Sequence, residues 1–201
     1  MLIRFFQRGV TLIELMIGLA IVALVLFVAV PSFGIFLQNS QIRNAAGSVL
    51  DGLQLARNEA IRRNSPVRFQ FVSNLTSGCT LSTTSLAWVV SQANPTGACD
   101  AAPSDDPVSG QPLIVQSCSA TEGTSNARLT ITGGSTVVFT GLGRVLGAGI
   151  TQVDVTNTSG ACQYVDPTNG KMRCMRILVS TGGQARMCDP QVTAANDPRK
   201  C

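Results

Sequence analysis

Three groups of side chains in this 201-residue chain could do chemistry. The first is a lone carboxylate, Glu14, at the head of an apolar run, since residues 15–37 carry no charge. A carboxylate at the edge of such a segment is costly unless a partner neutralises it, so Glu14 reads as a functional group. The second group is seven thiols: Cys79, Cys99, Cys118, Cys162, Cys174, Cys188 and Cys201. All follow the apolar run, which suits an oxidising compartment for everything beyond it. The third is a crowd of cations near the C-terminus. Residues 69–127 hold four acids and no base, whereas residues 128–201 hold eight bases against four acids. Such a surplus can serve as an electrostatic footprint for nucleic acid, as a docking patch, or as a solvated surface. Other chemistry is poorly supplied. The chain has no histidine, so no Ser-His or Cys-His nucleophile can be built. No Cys-x-x-Cys occurs either, which argues against a structural zinc site. Asp105 and Asp106 sit in a stretch without metal-ligand spacing or a phosphate-binding glycine motif and read as a solvated turn. We therefore expect no enzyme, no metal and no cofactor.

These groups need elements to hold them. A helix over residues 15–37 would be about 35 Å long, enough to cross a bilayer core. Pro31 falls inside it, where it removes one backbone bond and bends the axis. Beyond residue 37 the pattern turns amphipathic. Ile42, Ala46, Val49, Leu53, Ala56 and Ala60 recur at steps of three and four, while Arg43, Asp51, Arg57, Glu59 and Arg63 fall largely elsewhere on the surface. Glu59 precedes Arg63 by four residues, a favourable helical pair. Asn64-Ser65-Pro66 then stops the helix. The rest reads as short strands at 67–72, 87–92, 113–116, 128–132, 136–140, 151–155, 175–179 and 184–187, separated by Gly, Pro, Asn and Ser. The expected fold is α+β, a long N-terminal helix packed on an antiparallel sheet or sandwich. Residues 95–110 read as an exposed loop.

Residues 8–15, Arg8-Gly9-Val10-Thr11-Leu12-Ile13-Glu14-Leu15, resemble the start of a type IV prepilin when taken with the basic leader and the apolar helix. The resemblance implies a leader over 1–9, cut by a prepilin peptidase between Gly9 and Val10, and N-methylation of Val10. The family usually has Phe after the cut; here it is Val10. Glu14 becomes the fifth residue of the mature chain, and the resemblance gives it a role in pairing with the N-terminal amine of a neighbouring subunit. Two opposite charges in a low-dielectric setting repay their desolvation only when they meet, so the pair can act as a register device. Pro31 also stands where pilin helices commonly carry a proline. The stretch 53–64 followed by Pro66-Val67 is similar to minor pilins of the FimT/FimU type and to GspH-type pseudopilins, so the likeness covers about the first 70 residues well. It implies a leader at 1–9, a transmembrane and filament helix at 10–37, an amphipathic helix at 38–66 and a disulfide-bearing head at 67–201. The implied role is pilus assembly in a priming or tip complex, with other minor pilins and the major pilin as partners through the N-terminal helix. The implied location is the inner membrane, single-pass with a periplasmic head, and then the pilus or pseudopilus. The alternatives are a pseudopilin of type II secretion and a DNA-binding tip receptor.

Sequence does not determine disulfide connectivity. A Cys188–Cys201 bridge would close a small polar loop and pin the chain end, as Cys-bounded C-terminal loops do in FimU-like pilins. Cys162–Cys174 would cross a hairpin and Cys79–Cys99 would bracket the 87–92 strand, leaving Cys118 over. For DNA, residues 183–186 are similar to a stretch of DNA-binding FimT-type proteins that typically carries two arginines, of which only Arg186 is present here; Gln184 takes the other place. Arg186 is then the first candidate contact, with Arg173, Arg176, Arg199 and Lys200 in support.

Overall fold

A computed structural model describes residues 9–104, 112–119 and 127–201, the side chains of 28–32 excepted. The leader residues 1–8 and Asp105 and Asp106 lie outside the described residues, and α1 runs on through Pro31. The chain forms one helix, α1 (Leu12–Arg63), and eight strands: β1 (Val67–Phe71), β2 (Trp88–Ser91), β3 (Ile114–Cys118), β4 (Ala127–Thr132), β5 (Thr136–Phe139), β6 (Gln152–Asn157), β7 (Met175–Val179) and β8 (Ala185–Cys188). Two compact units result, Met1–Leu37 and Gln38–Cys201.

In the first unit, α1 starts at a cap. The backbone N–H of Glu14 donates to Thr11 Oγ1 at 3.3 Å, which satisfies one orphan donor of the first turn. The large apolar side chains from Leu12 to Phe27 are all between 53% and 84% exposed. Among the described residues no helix is long and apolar enough to cross a membrane; the run over 15–37 passes through 28–32, whose side chains are not described.

The second unit has the core. Ile42, Ala46, Val49, Leu53, Ala56 and Ala60 of α1 are all buried, as their spacing predicts. They pack on two antiparallel four-stranded sheets, ordered β3-β2-β1-β5 and β4-β6-β7-β8. Alternation along β1 sends Val67, Phe69 and Phe71 to the core shared with α1. Val72, Val89 and Ile114 bury instead with the Cys79–Cys99 pair, so the first sheet is covered on both faces. The second sheet is covered on one face. Val153, Val155 and Ile177 point in, while Gln152, Asp154 and Thr156 are only partly buried. Gly52 lets α1 approach the first sheet closely: a Cβ there would lie 2.7 Å from the Phe69 ring and 3.0 Å from Trp88.

The helix ends at Arg63, just before the expected Asn64-Ser65-Pro66 stop, and by a more specific device than Pro66. Asn64 takes φ 48°; its N–H donates to Ile61 O and that of Ser65 donates to Ala60 O, each at 3.2 Å. This is a Schellman termination with asparagine in the left-handed position. Two expectations need correcting. Glu59 is buried, not on the outer surface, because it accepts from Arg62 Nε at 2.8 Å and also from Arg63. The 95–110 stretch is not simply an exposed loop, since Pro95 and Cys99 are buried where the Cys79–Cys99 bridge holds them down.

Candidate functional site

The residues that could do chemistry fall at three places. The first is the start of α1. Gly9 and Val10 are exposed and precede the helix in irregular backbone, and an added side chain at Gly9 would meet nothing within 4 Å. Glu14, also exposed, stands three residues after Thr11. That Thr-x-x-Glu spacing is a capping-box signal that could have been read from the sequence and was missed.

The second place is the cysteine set. The structure joins Cys79 to Cys99, Cys162 to Cys174 and Cys188 to Cys201, and leaves Cys118 free and half-buried. Cys118 Sγ lies 3.3 Å from Ser48 Oγ on α1, and that hydroxyl accepts from Trp88 Nε1 at 3.1 Å. The Cys188–Cys201 bridge holds the C-terminal tail along β8, with the N–H of Asp189 donating to Arg199 O at 2.7 Å. Among the described residues no cluster of His, Cys, Asp or Glu could hold a metal ion.

The third place is the basic C-terminal third, and here the structure changes the picture. Arg173 donates to Asp189 at 2.6 Å, Arg176 to Asp154 at 2.6 Å and Arg199 to Asp197 at 2.7 Å. Arg176 also lies over the Tyr164 ring, 5.8 Å from its centroid. Its hydrogen bond to Asp154 raises its pKa above the ordinary arginine value, against the opposing effect of burial. The Arg199 hydrogen bonds hold the Asp197 carboxyl down at about 2. Three of the five candidate phosphate contacts therefore already hold a carboxylate. Arg186 is exposed and donates to the Lys200 carbonyl at 3.1 Å. It forms one wall of a groove of about 690 Å³ between α1 and the β7–β8 hairpin, with Arg57 opposite and Gln184 in the lining.

Residue types alone could not show how this groove is built. Gly183, at φ +81°, lies so close to the next turn that a Cβ would fall 1.8 Å from Gly143 O. Arg57 Nε donates to that same carbonyl at 3.1 Å. The hairpin, the 140–144 turn and α1 thus converge on one oxygen.

A capped apolar helix at the N-terminus and a separate disulfide-bonded α+β head define the class. Residues 4–30 match the prokaryotic N-terminal methylation motif. Residues 45–183 match the family described as type II transport protein GspH, and the chain belongs to that family. Two crystal forms of the Pseudomonas aeruginosa type IV minor pilin FimU are similar to it in structure. One has 11% identity over 79% of this chain and 99% of that one, with a TM-score of 0.47. The other has 11% identity over 76% and 99%, with a TM-score of 0.44. No curated protein matches the chain.

Proposed function

We propose that the chain is a minor pilin that helps assemble a type IV pilus, in a priming or tip complex. The observation that carries this reading is the contrast along α1: apolar side chains exposed on every face from Leu12 to Phe27, with Glu14 the one charge. A helix apolar all round needs a bilayer or other helices to cover it, and the methylation motif over 4–30 supports processing to a free amine at Val10. Before assembly the helix anchors the chain in the inner membrane with the head in the periplasm; after assembly it joins the bundle of helices in the filament. Prepilin peptidase, other minor pilins and the major pilin are the partners. The role is structural, not catalytic. The description of the matching family favours a second reading, a pseudopilin of a type II secretion system, which shares this mechanism.

Glu14→Ala tests the assembly step. The variant should be cleaved normally yet be depleted from sheared pilus fractions, because the Val10 amine of a neighbour loses its low-dielectric partner. Wild-type amounts of Glu14→Ala in pili would refute the charge-pair mechanism. Normal pili with failed secretion in a deletion strain would assign the chain to the secretion system.

A further inference from the structure

We infer that the outer edge of β8 is a docking slot for an extended acidic segment of a neighbouring subunit. The identity of that neighbour rests on the assembly reading above; the chemistry of the slot does not.

The backbone register defines the edge. Among the described residues β8 is the last strand of its sheet and pairs with β7 alone, Val179 opposite Ala185 and Ile177 opposite Met187. In an antiparallel pair, opposed residues either exchange both backbone bonds or neither, in alternation. The Val179 N–H donates away from β8, to Thr151 O at 2.9 Å, so Val179 and Ala185 are a non-bonded pair, as are Ile177 and Met187. The N–H and C=O groups of Ala185 and Met187 therefore point out from the sheet. The next residue in that row, Asp189, points the same way and is satisfied by the tail through Arg199 O. The tail thus completes the row at Asp189 and stops short of Met187 and Ala185.

Charge then selects the occupant. The 690 Å³ groove beside Ala185 is lined by two arginines, Arg57 and Arg186, by amides and hydroxyls and by the apolar Leu178 and Val179, and by no acid. A smaller cavity of about 320 Å³ beside Met187 adds Arg43; the other arginines of its lining, Arg173 and Arg199, already hold Asp189 and Asp197 and add no net charge. An edge strand with cationic walls takes a strand with acidic side chains: backbone bonds supply affinity and the arginines supply selection. A nucleic-acid backbone fits less well. The outward carbonyls of Ala185 and Met187 need donors, which a peptide has and a phosphodiester lacks.

The test uses the full chain in detergent micelles and a fluorescent N-acetylated octapeptide of alternating glutamate and threonine, read by anisotropy. The peptide should bind, and its lysine–threonine counterpart should not. Arg186→Glu should weaken binding at least about tenfold. Ala185→Pro should do likewise, since proline deletes an outward N–H yet is tolerated on an edge strand; a thermal melt checks that the variant is folded. No binding of the acidic peptide overturns the slot, as does binding that neither variant weakens. Binding of a short DNA duplex that displaces the peptide and ignores Ala185→Pro also overturns it, assigning the groove to phosphates. Because peptide binding needs no filament, it can succeed where Glu14→Ala shows no assembly defect, and fail where that defect appears.

Discussion

The two ends of α1 are made of similar residues placed differently. From Leu12 to Phe27 the helix is apolar on every side, and its large side chains are more than half exposed. From Ile42 to Ala60 apolar residues keep to one face and are buried, while Arg43, Asn58 and Arg62 stay outside. The second stretch is stabilised by its own head. Leucine, isoleucine and alanine supply 10 of the 16 residues in 12–27 and 8 of the 19 in 42–60, where most of the rest are polar. The difference lies in where the apolar surface is meant to go, and it predicts that the two ends fail independently.

The largest effect should come at the exposed end. Gly9→Val places a bulky side chain before the expected cut, and the mature chain should vanish, leaving full-length protein in the inner membrane. Mass spectrometry that still finds a chain starting at Val10 would break the comparison at its first residue. The head should fold as before.

Effects at the buried end are measured in a chain beginning at Gln38. It keeps every described buried residue, since the earliest is Ile42. Gly183→Ala there combines a left-handed φ with a Cβ 1.8 Å from Gly143 O and should cost about 4 kcal/mol in urea unfolding. Gly134→Ala has a positive φ of 106° and nothing within 4 Å, so it should cost only about 1 kcal/mol. Equal losses would show that the contact between the two turns contributes nothing.

The third effect, between those two in size, is electrostatic. Hydrogen bonds from Arg62, then Arg63, outweigh burial and bring the Glu59 pKa from 4.5 to about 2. A depressed carboxylate stabilises the fold above its unfolded pKa and loses that contribution as pH falls through the folded value. The head should therefore lose about 2 kcal/mol between pH 4.5 and pH 2, allowing for screening at Arg62, which is 64% exposed. Glu59→Gln should flatten that part of the profile. An unchanged profile would mean the triad is not coupled to folding.

Much of this fold follows from local pattern. Each expected strand overlaps an observed one because period-two alternation and flanking turn residues are local signals. β3 and β6 differ most, running to Cys118 and Asn157 instead of residues 116 and 155, and the pairing of β3 shifts between Val90 and Ser91. The capped start at Thr11 was legible too, in its Thr-x-x-Glu spacing. Non-local features were not. The order of strands in two sheets, the meeting of Gly143 with Gly183, and the Arg176–Asp154 pair across 22 residues all depend on tertiary neighbours. The basic third shows the cost: counting charges finds a surplus, but it cannot say that Arg173, Arg176 and Arg199 each hold a carboxylate. Glu59 misled for a related reason, since a helical position shared with two arginines can be drawn inward by them.

The seat of Cys118 bears on the order in which the head oxidises. Along the chain the cysteines pair first with second, fourth with fifth and sixth with seventh, and the third stays out. An oxidant that joined thiols simply in order of arrival would make the first bridge correctly, then couple Cys118 to Cys162 and displace every later pairing by one. Loop closure disfavours that error only weakly. In the folded head, with β3 laid against β2, the Cys118 sulfur rests on Ser48, whose hydroxyl is already engaged by Trp88. A first sheet that closes on the helix early would hold Cys118 at this seat and leave the later thiols to pair in their native order.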